Sequence, residues 1–415
     1  MTVAKRSRVL FVEACEDGTI GGTHQVMFDQ VRHIDRSRFT PVVLFYQESR
    51  FAERLRDMGE EVHVWERERD RERAPHLRNH RLGKVGSMIG AVIRRAAFLR
   101  RAHIDLVHVS NSPAVCHDDW LPAGFLARVP CVVSGSGAYS NPPTKRVPHW
   151  LTTKWDAVIA VSQSVADALR RGGIPAARTR VVHPGIEIDG LRAAVRRPRD
   201  DLRRELGVRD GSVLVAMVGH FRKWKGHDVV LAALQQLDPA LRQRLRVIFA
   251  GAVAPPAAEY YAGLQETVAR ASLHDCVSFL GERSDVPDLM NAADIVLHAS
   301  TIPEPFGIVV LEGMALGRAV IASNIGGPKE ILDADSGILF DATNPSELAA
   351  RLAELAGSPE RRAAFGAGAL KRVVHFEAGR QMREVESIYS TLLTRAPGAG
   401  AAPLRHQRST AASGA

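Results

Sequence analysis

Thr301-Ile-Pro-Glu304-Pro-Phe-Gly307-Ile-Val-Val-Leu-Glu312-Gly-Met-Ala-Leu-Gly317 holds two carboxylates in an otherwise apolar stretch. The run Ile295-Val-Leu297 before it reads as a buried parallel strand, Pro303 to Gly307 as a turn, and Ile308 as the start of a helix. From Ile308 to Leu316 only Glu312 is polar, so the pattern predicts a helix buried all round. A carboxylate there needs company, because an unpartnered buried charge is costly. It is either a structural group bound to backbone amides or an Arg, or an acceptor for a ligand.

The chain upstream repeats one theme. Arg8 to Glu13 reads as a first strand, Gly18-Thr-Ile-Gly21-Gly22-Thr23 as a glycine loop, and His24 to Ile34 as a helix. Glycines allow close approach of a ligand, and a helix start offers N–H groups to an anion. Further strands are predicted at Pro41–Tyr46, Glu61–Trp65, Asp105–Val109, Cys131–Val133, Ala157–Val161 and Arg180–Val182, mostly separated by helices. Such alternation predicts an α/β, doubly wound parallel sheet with its ligand edge at the strand C-termini. Glu66 to Arg81 reads as a solvated, charge-dense loop. Leu82 to Ala102 is a basic amphipathic helix, suited to packing on the sheet or to an anionic membrane surface.

A second cycle begins at Ser212–Val218, after the Arg- and Asp-rich connection Leu191 to Glu205. Its strand runs into Gly219-His220-Phe-Arg222-Lys223-Trp-Lys225-Gly226, the chain's best anion site, because charge-assisted contacts to phosphate are strong. Ser323-Asn-Ile-Gly326-Gly327-Pro328-Lys-Glu330 is another loop opening a helix, with Pro328 at its first position. Asn344-Pro-Ser-Glu347 resembles a structural helix cap. Four divisions are expected: 1–190, 191–375, a C-terminal helix at 376–395 packing back on the first domain, and a disordered tail at 396–415.

The totals set wide bounds. A length of 415 residues suits two domains, and a formal net charge of +9 suits an acidic ligand or weak attraction to an anionic membrane without demanding nucleic acid. Cys15, Cys116, Cys131 and Cys276 are scattered, with no paired spacing for zinc or a disulfide framework. Val9 to Val12 is too short for a signal-peptide core, so a cytoplasmic protein is expected, with peripheral contact at the inner face of the membrane left open.

Taken together, Glu304-x7-Glu312, the Gly219–Gly226 loop, Ser323-Asn-Ile-Gly-Gly with Glu330, and His183-Pro-Gly-Ile-Glu187 resemble the family 4 retaining glycosyltransferases. The resemblance covers about Arg8 to Leu393 and implies a GT-B-like fold, two facing Rossmann-like domains with a deep interdomain cleft. It implies a metal-independent, hexosyltransferase-like enzyme that moves a sugar from a UDP- or GDP-sugar to a glycan, lipid-linked or small-molecule acceptor, with no cofactor. By that likeness Glu312 would hold the ribose diol, Glu304 a hydroxyl of the donor sugar, and the amides of Phe306, Gly307, Ile308 and Val309 the sugar and diphosphate. Lys225 would pair the diphosphate, Gly219 and His220 would line it, and Gly21 and Gly22 would close over the donor phosphates.

Two departures accompany the resemblance. Members usually carry Arg where this chain has His220, and Arg222 is the candidate replacement because its fork can grip phosphate bidentately. Many place a His near the reacting sugar where this chain has Ser136; Asn111 joins Ser136 on the acceptor side, and His108, His117 and His149 are substitutes to consider. The rival readings are a non-catalytic nucleotide-sugar or polysaccharide-binding protein and a glycoside hydrolase using Glu304 and Glu312 as acid and base. A dehydrogenase lacks its dinucleotide fingerprint in both halves.

Overall fold

A computed structural model of the chain describes residues 6–13, 22–65, 81–110, 120–135 and 153–394. Gly21, Asn111, His117, Ser136 and His149, the loop 66–80 and the tail 396–415 lie outside these residues. The chain divides into two compact units: 1–160 with 165–182 and 382–415, and 161–164 with 183–381.

The first unit carries a seven-stranded parallel sheet. Its strands are β1 (Ser7–Glu13), β2 (Phe39–Phe45), β3 (Glu61–Val64), β4 (Leu106–Ser110), β5 (Cys131–Gly135), β6 (Ala157–Ala160) and β7 (Thr179–Val181), in the order β3-β2-β1-β4-β5-β6-β7. Residues Met382, Val385, Tyr389 and Leu392 of the C-terminal helix fall on one helical stripe and join Phe11, Phe39 and Val132 in the core of this unit. Glu386 accepts from the Asp35 amide at 2.6 Å. His108, one of the substitutes considered for a catalytic histidine, is a core residue here. Its Nδ1 meets the Tyr389 hydroxyl at 2.5 Å and its Nε2 the Ser134 hydroxyl at 2.6 Å, and burial pushes its pKa down to about 3.

The second unit carries a six-stranded parallel sheet: β8 (Val213–Val218), β9 (Leu245–Ala250), β10 (Val277–Gly281), β11 (Ile295–His298), β12 (Ala319–Ser323) and β13 (Ile338–Phe340), ordered β10-β9-β8-β11-β12-β13. In β8, Val213, Val215 and Met217 enter one core, and Leu214 and Ala216 enter another. Both faces are therefore covered, as a near-continuous apolar run requires, and polar chemistry is left to the strand ends. The order reverses between β8 and β11, which pair directly through Ile295–Val215 and Val296–Ala216. In an open α/β sheet a ligand crevice forms at such a switch point, beyond the strand C-termini.

The connection expected to separate the domains, Leu191 to Glu205, folds into helices Ile188–Ala193 and Arg199–Glu205 that belong to the second unit. Asp288 accepts from the amides of Arg196 and Arg197 at 2.7 and 2.8 Å, and Asp294 pairs Arg199 and Arg203. These charges bind the connection to the helix preceding β11 and to that strand's entry, so the division falls at Val182 and His183 instead of near 190.

Candidate functional site

Two loops leave the switch point of the second unit, one from β8 and one from β11, and both carry charge inward. The β8 loop is anchored by Phe221, fully buried and stacked on His227 at 4.6 Å. The extended backbone at Arg222 turns its side chain away from that anchor into solvent. The turn Lys223–Lys225 ends at Gly226, whose φ is +79° and where a Cβ would lie 2.0 Å from the Ala299 carbonyl oxygen. Only glycine fits so close to the backbone after β11. The Thr301 amide also donates to the Trp224 carbonyl at 2.8 Å, which fixes one loop against the other.

Glu304 lies in the second loop and is the centre of the site. Lys225 Nζ donates to its Oε1 at 2.7 Å and Oε2 at 2.9 Å. His298 Nε2 and the Ser300 hydroxyl reach Oε2 at 2.7 and 2.6 Å. A carboxylate can only accept, so Nε2 carries the hydrogen, while Nδ1 meets the Ser323 hydroxyl at 3.1 Å. Burial would push the Glu304 carboxyl up, but the charge of Lys225 and the contact with His298 outweigh it and hold the group well below the usual carboxylate range. The pair is mostly buried, with side-chain exposures of 18% for Lys225 and 13% for Glu304.

Glu312 has the opposite surroundings. It lies in the helix Ile308–Ala315, which starts after Gly307, and its carboxyl has no hydrogen bond or ion pair among the described residues. Part of its surface stays open by area, yet the protein around the carboxyl raises its pKa to about 7, by burial alone. Neither structural partner considered from sequence, a backbone amide or an Arg, appears among the described residues. The helix start itself leaves the first-turn N–H groups of Ile308 and Val309 without intrahelical acceptors. Phe306 is buried and stacks on His183 at 5.4 Å, which fixes the turn leading into that helix. The Gly327 amide donates to the Glu304 carbonyl at 2.9 Å, and a Cβ at Gly326 would meet that carbonyl oxygen at 2.3 Å. The glycine turn after β12 thus supports the carboxylate from behind.

Of the residues singled out in sequence, Gly219, His220, Arg222, Lys225, Glu304, Phe306, Gly307, Ile308, Val309 and Glu312 all belong to the second unit at the C-terminal ends of β8 and β11. Gly22 opens the first helix of the first unit. Arg222 is exposed and His220 half-buried. Lys225, expected to face a diphosphate, donates to both oxygens of Glu304. Sequence reading missed His298, Ser300 and Ser323. The available signal was a histidine interrupting the apolar run of β11 at its C-terminal end, two residues before a serine. Glu330 was noted only as part of a motif. It accepts from His183 at 2.9 Å and from the Gln163 amide at 2.8 Å, and the hydrogen bond with His183 leads the contributions that hold its carboxyl below the usual range against burial.

Such a site, with cations, a helix start and two carboxylates at the switch point of a Rossmann-like sheet, fits a sugar nucleotide better than a dinucleotide. Comparison with known proteins agrees. Residues 198–372 match the family described as glycosyl transferases group 1, and residues 20–189 match Glycosyltransferase Family 4. A D-inositol 3-phosphate glycosyltransferase of Saccharomonospora viridis is 31% identical over 317 residues, 72% of this chain and 72% of its own length. The crystal structure of Anabaena HepE in complex with UDP and glucose superposes with a TM-score of 0.77 at 25% identity, over 93% of this chain and 100% of that one. A glycosyltransferase from Rickettsia africae shares the fold, with a TM-score of 0.79 at 20% identity over 94% of this chain and 100% of its own. These proteins and this architecture define a nucleotide-sugar-dependent sugar-transferring enzyme of the GT-B fold. The chain belongs to glycosyltransferase family 4.

Two stability predictions arise from the opposed carboxylates. Lys225→Met leaves Glu304 with a buried charge and should cost about 3 kcal/mol, most of which Lys225→Met combined with Glu304→Leu should restore. Additive losses in urea unfolding would contradict the pairing. For Glu312, the folded value of about 7 exceeds the ordinary 4.5, so the folded chain holds a proton that the unfolded chain lacks between those values. Stability contributed by this group must fall as pH rises from 4.5 to 7, by about 3 kcal/mol at most. Glu312→Gln should therefore be more stable than the native chain at pH 8, with the advantage vanishing near pH 4.5. A pH-independent difference in urea midpoints would refute the assignment.

Proposed function

We propose that the chain is a retaining, metal-independent transferase that takes a sugar from a UDP- or GDP-sugar and delivers it to an acceptor hydroxyl. The observation carrying this reading is Glu304, held by three donor side chains, beside Glu312, whose carboxyl has no partner among the described residues. Lys225, His298 and Ser300 crowd Glu304 with four hydrogen bonds, three at Oε2 and one at Oε1, which leaves Oε1 an acceptor position. A diphosphate arriving at the β8 loop competes for Lys225. As the ammonium turns to phosphate, Glu304 gains room to accept a sugar hydroxyl while His298 and Ser300 keep it aimed. Glu312, lacking a protein donor among the described residues, accepts from the two ribose hydroxyls, for which an ionised carboxylate has matching lone pairs.

In the transfer, the bond between the anomeric carbon and the diphosphate oxygen breaks, and a bond from the acceptor oxygen forms on the same face. The acceptor proton passes to the departing diphosphate. Negative charge grows on the leaving group, where Lys225, Arg222 and the N–H groups of Ile308 and Val309 stabilise it electrostatically. Arg222 takes the place of the arginine that the family usually has at His220; its exposure leaves it able to swing to phosphate. UDP is the first base to test, because the similar HepE was solved with UDP and glucose. Acceptors to test include cyclitol phosphates, after the curated relatives, and lipid-linked glycans.

Proton NMR of the product formed from a UDP-hexose should show the anomeric configuration of the donor, with turnover unchanged by EDTA. Glu304→Gln should lower kcat about 100-fold while UDP still raises the melting temperature. An inverted product, or activity lost to chelation and restored by a divalent cation, would overturn the reading. Donor hydrolysis without any transfer across the acceptor panel would overturn its acceptor half.

A further inference from the structure

The helix Arg81–Arg101 in the first unit has a fixed inner face. Ala96 and Leu99 are buried, Arg95 lies over the Trp120 ring at 5.5 Å, and Phe98 meets Trp65 edge to face at 4.9 Å. Its outward stripe is therefore defined by helical spacing: Ile89, Ile93, Ala97 and Arg100 recur at intervals of four, four and three. Ile89 and Ile93 are 52% and 54% exposed. At the end of that stripe Arg100 donates to the Leu126 carbonyl at 2.5 Å, which places the C-terminus of helix Trp120–Ala127 beside it. There Leu126 is 44% exposed and Phe125 88% exposed, the most exposed large apolar side chain of the described residues. Arg94, Arg101 and Arg128 are exposed around these side chains.

Two features define what such a surface fits. Neither helix contains an Asp or Glu, whereas the longer one exposes Arg94, Arg100 and Arg101. A second copy facing this surface through a twofold axis would bring cations against cations. An anionic bilayer instead supplies phosphate for the arginines and an apolar layer for the aromatic and aliphatic side chains. No helix among the described residues is long and apolar enough to cross a membrane, so contact of this kind is made from the surface.

We propose that Ile89, Ile93, Phe125 and Leu126, framed by Arg94, Arg101 and Arg128, form a docking surface for an anionic lipid bilayer. Phe125 and Leu126 enter the acyl boundary at the end of the short helix. The long helix lies along the headgroups with Ile89 and Ile93 downward, and Arg100 ties the two elements into one rigid platform. This extends the membrane contact left open from sequence and favours lipid-linked acceptors within the proposed function. Vesicle binding is read without sugar transfer, so failure of either reading leaves the other measurable.

The test is flotation of the full chain with vesicles of phosphatidylcholine alone and of phosphatidylcholine mixed with phosphatidylglycerol, at low and high salt. The native chain should float with the mixed vesicles, weakly or not at all with the neutral ones, and less as salt rises. Arg101→Glu with Arg128→Glu should weaken binding by at least about five-fold per arginine. Phe125→Asp should abolish it while leaving the UDP-induced rise in melting temperature intact, which shows that the variant folds. Absence of flotation, equal flotation with both vesicles, or flotation unaffected by these substitutions would overturn the proposal. So would a native dimer in light scattering that Phe125→Asp converts to monomer in a chain that binds no vesicle, which would make the surface a contact between copies.

Discussion

The buried ion pair between Lys225 and Glu304 is the contact on which the second unit's chemistry rests. Each partner comes from a different loop, one after β8 and one after β11, and these strands meet where the sheet reverses its order. The pair can form only because Gly226 lets one loop lie against the backbone of the other, and because Gly326 and Gly327 pack behind Glu304. Removing two charges from water is costly, and mutual attraction alone does not always compensate. Here His298 and Ser300 complete the carboxylate's shell, and Ser323 steadies His298 from the neighbouring strand.

Along one short stretch of chain the protein keeps two carboxylates in contrasting states. Glu304 is held ionised by the Lys225 ammonium and neighbouring hydrogen-bond donors, whereas Glu312 is surrounded by protein with no donor to satisfy it among the described residues. Opposed states alone would also suit an acid and base pair; it is the likeness to glycosyltransferases that sets a hydrolase aside. A carboxylate crowded by donors is aimed and neutralised, and one without donors is set to receive them. In the proposed function these two carboxylates, on either side of a helix start with cations close by, follow the chemical order of a sugar nucleotide: ribose, diphosphate, sugar.

Much of this was legible in the sequence because it depends on periodicity and punctuation. Continuous apolar runs marked strands buried on both faces, and glycine turns with Pro328 marked the loop edges, so the doubly wound architecture and the loops at its switch point could be read directly. The solitary Glu312 stood out because its helix is otherwise apolar. What stayed hidden depends on pairing between distant segments. Lys225 and Glu304 are far apart in the chain, and nothing local says that the ammonium meets the carboxylate. His298 and Ser323 read as isolated polar residues at strand ends until β11 and β12 are set side by side in register. Likewise His108 looks like a candidate for chemistry until Tyr389, contributed by the C-terminal helix, closes over it.

If Glu312 receives the nucleotide as proposed, binding must displace its proton, and that proton can be counted. Calorimetry of UDP-glucose binding at pH 6, in buffers of different ionisation enthalpy, reports how many protons leave the complex. A Glu312 with a pKa of about 7 is mainly protonated at that pH and must ionise to accept two ribose hydroxyls. The native chain should release most of one proton, and Glu312→Gln none. Tight binding without proton release by the native chain, or equal release by both, would contradict that role.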